Sequence, residues 1–301
     1  MDDYIEEFLD YCRLAKKTSE NSISAYRHDL SKLFNYLKGC GITKISAVTF
    51  TDLNAFILKL EREGSADSSI SRTVSSVKSF FNFLNVRRLR EDNPAMGLRP
   101  PKPVRDIPKI LDAGSVERLL AMPDLSAEMG IRDKAMLELL YATGMRTTEL
   151  LSLKPEDVDL GLSCVRVEGN TGERYVPFDA SAKEALELYL EKSRPFFMKK
   201  NSNLLFTNYN GEPMTRQGFW KLVKAYGMKA GLGNEVSPDV IRHSFGAHMV
   251  ENGADLYTLK EILGYGDLSS VQIYSSFSRQ KLSSVYADTH LRKNISEKEE
   301  G

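Results

Sequence analysis

Residues 142–150 read Ala142-Thr143-Gly144-Met145-Arg146-Thr147-Thr148-Glu149-Leu150. Gly144 interrupts an apolar helical pattern, and Arg146 stands at the start of the next predicted helix. The free backbone amides at such a start favour an anion. On its own, an arginine in this position is more often a surface or ion-pair residue, so its meaning depends on the rest of the chain.

Two further candidate catalytic residues, Arg242 and Tyr274, follow Arg146 along the chain. Arg242 lies on a predicted helix that Ser237 caps and Pro238 opens. Tyr274 lies in a predicted helix over 269–277. A lone tyrosine in an amphipathic helix is more often a half-buried packing residue. Each signal is weak alone, and only the ordered set of two arginines and a tyrosine suggests chemistry.

The composition of the chain argues against metal-dependent, nucleotide-cofactor-dependent and membrane-spanning classes of protein. The chain has 301 residues, enough for two domains with separate cores, and its 41 basic and 41 acidic residues cancel. The cysteines lack the spacing of a disulfide framework or zinc site, and no phosphate-loop or dinucleotide motif occurs, so we expect no metal and no cofactor. The acidic N-terminus and the lack of a long apolar run predict a cytoplasmic protein without a membrane span.

The predicted fold is mainly α with a small antiparallel β-hairpin or sheet, in two domains. The predicted hairpin pairs strands near 163–168 and 173–178 across a glycine-rich turn. The expected organisation is a four-helix domain over 1–90, a proline-rich basic linker over 91–109, a larger α+β domain over 110–290 and a disordered tail over 291–301.

The predicted linker region is locally basic despite the neutral total. Between residues 87 and 109 there are seven basic and three acidic side chains. Five prolines lie within the sixteen residues 93–108, which extended would reach roughly 50 Å, several times the ~12 Å width of a DNA major groove. A solvated linker would explain the charge equally well. The candidate DNA-binding residues are Arg87, Arg88, Arg99, Lys102 and Arg105.

Taken together, the ordered motifs resemble the tyrosine recombinases of the phage integrase family, closest to the Xer type that resolves chromosome dimers. The resemblance is carried by Thr18–Leu30, Arg132–Leu137, Ala142–Leu150, Ser237–His248, Gly253–Leu256 and Asp267–Tyr274. It implies a helical, SAM-like core-binding domain followed by a catalytic domain. It also implies site-specific recombination of double-stranded DNA by a tetramer on paired sites, with a second recombinase as one option for the partner.

The resemblance also implies roles for individual residues. Arg146 and Arg242 would hold the scissile phosphate, because a guanidinium forks onto two phosphate oxygens and stays charged. Tyr274 would attack phosphorus and form a 3′-phosphotyrosine. Glu149 would orient an arginine. His243 and His248 match framework positions of the family.

Three positions depart from the family pattern. Asn170 stands in the turn where the family has a lysine that protonates the leaving 5′-oxygen. Asp239 stands three residues before Arg242, where the family has histidine or lysine; it would pair with Arg242 or accept the proton of Tyr274. Tyr265 stands where the family has histidine or tryptophan, and its hydroxyl could still donate to phosphate.

Two hypotheses therefore remain open on the sequence. The first is an active recombinase with an altered site, which the retained arginines and tyrosine favour. The second is a family member with little cleavage, acting as a DNA-binding regulator or as the passive subunit of a mixed tetramer, which Asn170 and Asp239 favour. A third, less favoured, is a helical scaffold unrelated to DNA.

Overall fold

The computed structural model describes residues 2–16, 18–101, 108–169, 172–198 and 202–277. It divides into two compact units, Met1–Arg105 and Asp106–Gly301. The division lies inside the 91–109 segment that the sequence predicts as a linker. In the described residues no helix is long and apolar enough to cross a bilayer.

The first unit is a helical bundle. Its aromatic core is closed by rings that meet edge-on, such as Phe8 against Phe80 and Phe34 against Phe80. Thr49 and Asp52 cap the third helix reciprocally, which fixes where it starts. The four predicted helices are confirmed. They are α1 (Asp2–Leu14), α2 (Glu20–Gly39), α3 (Phe50–Arg62) and α4 (Asp67–Val86).

The second unit surrounds a central helix, α6 (Glu128–Thr143), whose Met136, Leu139 and Leu140 are fully buried. The helices around it are α5 (Ala113–Leu120), α7 (Thr147–Ser152), α8 (Ala180–Leu188), α9 (Arg194–Phe197), α10 (Arg216–Lys229), α11 (Pro238–Glu251) and α12 (Leu256–Leu263).

The predicted hairpin is present and belongs to a three-stranded antiparallel sheet in the order β1-β2-β3. Its strands are β1 (Val158–Asp159), β2 (Cys164–Gly169) and β3 (Gly172–Pro177). Val165 pairs with Val176, and Gly169 with Gly172. The two-residue β1 was not predicted, since two residues cannot show the alternation that marks a strand.

Gly144 ends α6 and directs the chain into α7. Its φ of +57° is left-handed, and a Cβ there would lie 2.3 Å from Cδ1 of Phe245. Both the conformation and the space therefore require glycine. The close approach of this turn to α11 and α12 places Arg146 beside them.

The predicted helix over 269–277 is wrong. The chain forms short 3₁₀ turns, Leu268–Ser270 and Gln272–Tyr274, before a helical segment whose described residues are 275–277. The carboxylate of Asp267 accepts hydrogen bonds from the backbone and side chain of Ser270. Such local bonds compete with a continuous helix. The predicted tail over 291–301 lies outside the described residues.

Candidate active site

Two arginines meet at one cleft of the second unit, which has a volume of about 500 Å³. Arg146 reaches it from the start of α7, and Arg242 from the first turns of α11. Nη2 of Arg146 donates to the carbonyl of Gly264 at 3.0 Å, so this guanidinium is fixed against the end of α12.

Arg242 is held by backbone carbonyls. Its Nη1 donates to the carbonyl of Gly144 at 2.6 Å, and its Nη2 donates to that of Leu263 at 2.8 Å. The side chain is buried, and in the described part of the chain no carboxylate forms an ion pair with it. A guanidinium that is held only by neutral partners keeps its charge for an anion in the cleft.

Tyr265 lies against both arginines. Its ring centroid is 5.3 Å from Cζ of Arg146 and 5.0 Å from Cζ of Arg242. Distances of this size allow favourable cation–π contacts. The ring therefore helps to hold two like charges together at the edge of the cleft.

Glu149 joins the cleft to the sheet. Its carboxylate accepts hydrogen bonds from the backbone N–H of Arg146 at 2.7 Å and from Nη1 of the same residue at 3.0 Å. On its other side it accepts from Nη1 and Nη2 of Arg174, at 3.0 and 2.8 Å. Arg174 in turn donates to the carbonyl of Ile262 at 2.9 Å. Sequence reasoning gave Arg174 no role, although it links β3, α7 and α12.

The charge of Glu149 depends on these donors. Burial alone would raise its pKa, but the hydrogen bonds from Arg174 and from the Arg146 backbone, together with both positive charges, hold the pKa below its usual 4.5. A carboxylate so bound stays ionised at neutral pH.

We expect Glu149→Gln to lower the free energy of unfolding at pH 7 by about 2–4 kcal/mol, because two guanidinium groups lose their buried counter-charge. The folded-state pKa is lowered, so the wild-type advantage is complete above the unfolded-state pKa and disappears as the pH falls through the lowered folded value. Urea unfolding from pH 7 to pH 3 measures this. Glu156→Gln, at an exposed site with a 3.7 Å ion pair, is the control and should change little. An equal loss at every pH would contradict the assignment.

Tyr274 is placed behind the cleft. Its side chain is fully buried, and its Oη lies 2.7 Å from Nδ1 of His243. A Cβ on Gly246 would stand 2.7 Å from its Cζ, so the ring packs directly on α11. Burial, followed by the neighbouring Tyr265, raises the pKa of the phenol despite the positive charge of Arg242. His243 does line the cleft, which puts Tyr274 one side chain away from it.

The expected pair between Asp239 and Arg242 does not form in the described residues. The guanidinium turns instead to the carbonyls of Gly144 and Leu263, because helix C-termini carry unpaired acceptors with partial negative charge. Asp239 lines the cleft one turn from His243, and the hydrogen-bond partner of Tyr274 is His243, not this carboxylate.

The structure brings none of the predicted DNA-binding residues that it describes into the cleft. Arg87, Arg88 and Arg99 are exposed in the first unit. Asn170, Lys102 and Arg105 fall outside the described residues. Within the described ranges, no group of three or more histidines, cysteines and carboxylates could hold a metal ion.

Sequence reasoning also missed part of the cleft wall. Arg216, Gln217 and Trp220 of α10 border it. Nothing in their spacing marked them, because α10 has the same period as any amphipathic helix. His243 was assigned to the framework, and only its position one turn after Asp239 could have suggested more.

The chain matches known families over both units. The profile of the phage integrase family covers residues 109–281, and the profile described as the phage integrase N-terminal SAM-like domain covers residues 5–88.

Full-length relatives agree with this. The tyrosine recombinase XerD of Listeria monocytogenes serotype 4b (strain F2365) is 37% identical over 97% of this chain and 100% of its own length. That of Staphylococcus haemolyticus (strain JCSC1435) is 38% identical, again over 97% and 100%.

Solved structures share the fold. The crystal structure of XerA recombinase is 25% identical, covers 96% of this chain and 98% of its own, and gives a TM-score of 0.54. XerH bound to a palindromic difH substrate in a post-cleavage complex is 21% identical over 94% and 84%, with a TM-score of 0.74, and supports the fold alone. With both profiles and the full-length relatives in agreement, the chain belongs to the phage integrase family, as an Xer-type tyrosine recombinase.

Proposed function

We propose that the chain recombines DNA at specific sites by cutting and rejoining strands through a 3′-phosphotyrosine at Tyr274. The observation that carries the proposal is the convergence of Arg146 and Arg242 on one cleft, one side chain away from Tyr274. A scissile phosphate in this cleft would meet two fixed positive charges, with Tyr265 beside them.

The chemistry needs no cofactor in this proposal. The Oη of Tyr274 attacks phosphorus, the bond from phosphorus to the 5′-oxygen breaks, and a 5′-hydroxyl leaves. Arg146 and Arg242 offset the charge that builds on the phosphoryl oxygens. The phosphotyrosine bond conserves the energy of the phosphodiester, so a 5′-hydroxyl can reverse the step and rejoin a strand.

Cleavage requires Tyr274 to come forward. Its ring is fully buried in the described conformation, so we expect the turn Gln272–Tyr274 to shift towards the cleft with Oη kept beside His243, which itself lines the cleft. Short 3₁₀ turns tolerate such a shift better than a continuous helix, since few backbone hydrogen bonds must break.

Double-stranded DNA is the proposed partner, bound by a tetramer on paired sites. A second recombinase within that tetramer and a cytoplasmic location remain predictions of the same proposal.

A nicked suicide substrate tests the proposed function. Cleavage near a nick releases a short fragment, which traps the covalent intermediate as a protein–DNA adduct. We expect the wild-type protein to form this adduct on duplexes carrying its recombination site. DNA binding without any adduct would favour the passive, DNA-binding role over strand cleavage.

Salt should weaken DNA binding steeply, although the chain has no net charge. We expect the triple substitution of Arg99, Lys102 and Arg105 by alanine to reduce the slope of log affinity against log salt by about 2–3, since each lost phosphate contact removes roughly 0.9. Fluorescence anisotropy at several salt concentrations measures the slope.

Arg13→Ala is the matched control, because Arg13 is already paired with Asp10 and Glu20. An unchanged slope in the triple variant would exclude this segment as a phosphate contact. Arg90 is not included, since its guanidinium donates to the carbonyl of Val48 and to Asp92 inside the first unit.

A further inference from the structure

His243 stands between the buried tyrosine and the cleft. We propose that His243 is the general base that takes the phenolic proton of Tyr274, with Asp239 as the positioning residue that supports the charge formed on His243. This assignment rests on the proposed function, and it gives the Asp239 carboxylate an electrostatic role in the reaction.

The geometry fits a proton transfer. Nδ1 of His243 lies 2.7 Å from Oη of Tyr274, within the range that a general base requires. The ring of His243 is partly exposed and lines the cleft, while Tyr274 is fully buried. A proton leaving the phenol can therefore pass through the imidazole towards solvent without crossing the apolar packing around the ring.

The imidazole is in the correct form to accept. Burial lowers the pKa of His243, so the neutral ring dominates at neutral pH and Nδ1 can accept the hydrogen bond of the phenol. The positive charge of Arg242, the residue immediately before His243 in the sequence, lowers this pKa further. The phenols of Tyr274 and Tyr265 also lie near it, and burial raises the pKa of Tyr274, so that phenol keeps its proton at neutral pH.

Asp239 acts in the opposite direction. It lies four residues before His243 on α11, so both side chains share one face of the helix, and both line the cleft. Its negative charge raises the pKa of His243 against the effect of burial. The carboxylate therefore favours the imidazolium at the moment it forms. A histidine or lysine at this position would repel that imidazolium instead.

An oxygen lone pair of Tyr274 forms the bond to phosphorus as its proton moves to Nδ1 of His243. The bond from phosphorus to the 5′-oxygen breaks, and that oxygen takes a proton from a water molecule. The imidazolium then returns its proton to the resulting hydroxide through solvent, which restores both groups.

A different role for the same contact is a latch that holds Tyr274 in its buried position. The two roles predict opposite results when His243 is changed. Removing a base slows cleavage, whereas removing a latch frees the tyrosine and speeds it.

The test measures single-turnover adduct formation by His243→Gln on the nicked substrate. We expect a decrease of about 100-fold or more, at unchanged DNA affinity. His248→Gln is the matched control, because His248 lies on the same helix but bonds Oη of Tyr141 at 2.9 Å. Free imidazole should restore part of the rate of His243→Ala. Circular dichroism verifies that each variant is folded.

Two further measurements separate a base from an acid and test Asp239. In a substrate with sulfur in place of the bridging 5′-oxygen, the leaving group is a thiolate that needs no proton. If His243 is a base, the defect of His243→Gln should therefore persist on this substrate. Asp239→Asn should lower the rate about 10-fold and move the rising limb of the pH–rate profile to lower pH, since the charge that raises the pKa of His243 is gone.

The outcomes are distinct. A faster His243→Gln variant would establish the latch, an unchanged rate would exclude any role, and a defect that the sulfur substrate erases would make His243 an acid. Each overturns the assignment while the proposed function stands. An absence of adduct with the wild-type protein would overturn the proposed function, and the base role with it.

Discussion

Replacing Tyr274 by phenylalanine is expected to abolish the covalent protein–DNA adduct and to leave DNA affinity largely intact. The substitution removes the attacking oxygen and nothing from the cleft, because Tyr274 is buried behind His243 and does not line it. Adduct formation on the nicked substrate, resolved by denaturing electrophoresis, and anisotropy on the intact duplex measure the two effects.

The fold should tolerate this change. The ring keeps its packing against Gly246, and the hydrogen bond between Oη and His243 is lost at a cost of about 1 kcal/mol. Nδ1 of His243 loses its partner, but the imidazole borders the cleft and water can replace the phenol. A small decrease in melting temperature is therefore consistent with an intact site.

Tyr265→Phe is the matched control, since it removes the same hydroxyl from the neighbouring tyrosine. Its ring would still lie against Arg146 and Arg242 and should keep them in place. We expect slower adduct formation in this variant, not its loss. The reverse pattern, with adduct retained by Tyr274→Phe and lost in Tyr265→Phe, would make Tyr265 the nucleophile.

The sequence predicted the members of the site better than their contacts. The order of Arg146, Arg242 and Tyr274 was visible because each lies in a motif that resembles the family, and the helices were visible because their apolar period is regular. Helical period gives the face on which Arg242 lies. The period does not show which helix ends pack against that face. The carbonyls of Gly144 and Leu263 were therefore missed, and Asp239 was expected as the partner of the Arg242 guanidinium.

The segment around Tyr274 shows a second limit. Its apolar spacing fits a helix, but Asp267 and the serines after it form local hydrogen bonds that end each turn early. His243 was missed for a related reason: the sequence does not show that the histidine next to Arg242 has its ring 2.7 Å from the phenol of Tyr274. Long-range pairs such as Arg174 with Glu149 have no local pattern in the sequence.

Asn170→Lys is expected to raise the rate of cleavage of ordinary DNA by about 10²-fold or more, within the range that a positioned acid provides. The leaving 5′-oxygen is strongly basic, and asparagine cannot give it a proton near neutral pH, whereas a lysine ammonium can. Gly169, the residue before Asn170 in the sequence, borders the same surface pocket as Arg146 and Glu149.

The bridging-sulfur substrate identifies the cause of any gain. A thiolate leaves without a proton, so Asn170→Lys should speed cleavage of the oxygen substrate and leave cleavage of the sulfur substrate nearly unchanged. The wild-type protein should for the same reason cleave the sulfur substrate much faster than the oxygen one. Asn170→Gln, which changes length without adding an acid, is the control and should give no gain. Equal acceleration of both substrates would mean that the lysine acts by binding phosphate. No acceleration, with DNA affinity unchanged, would mean that another group already protonates the 5′-oxygen and that the site is complete without the family's lysine.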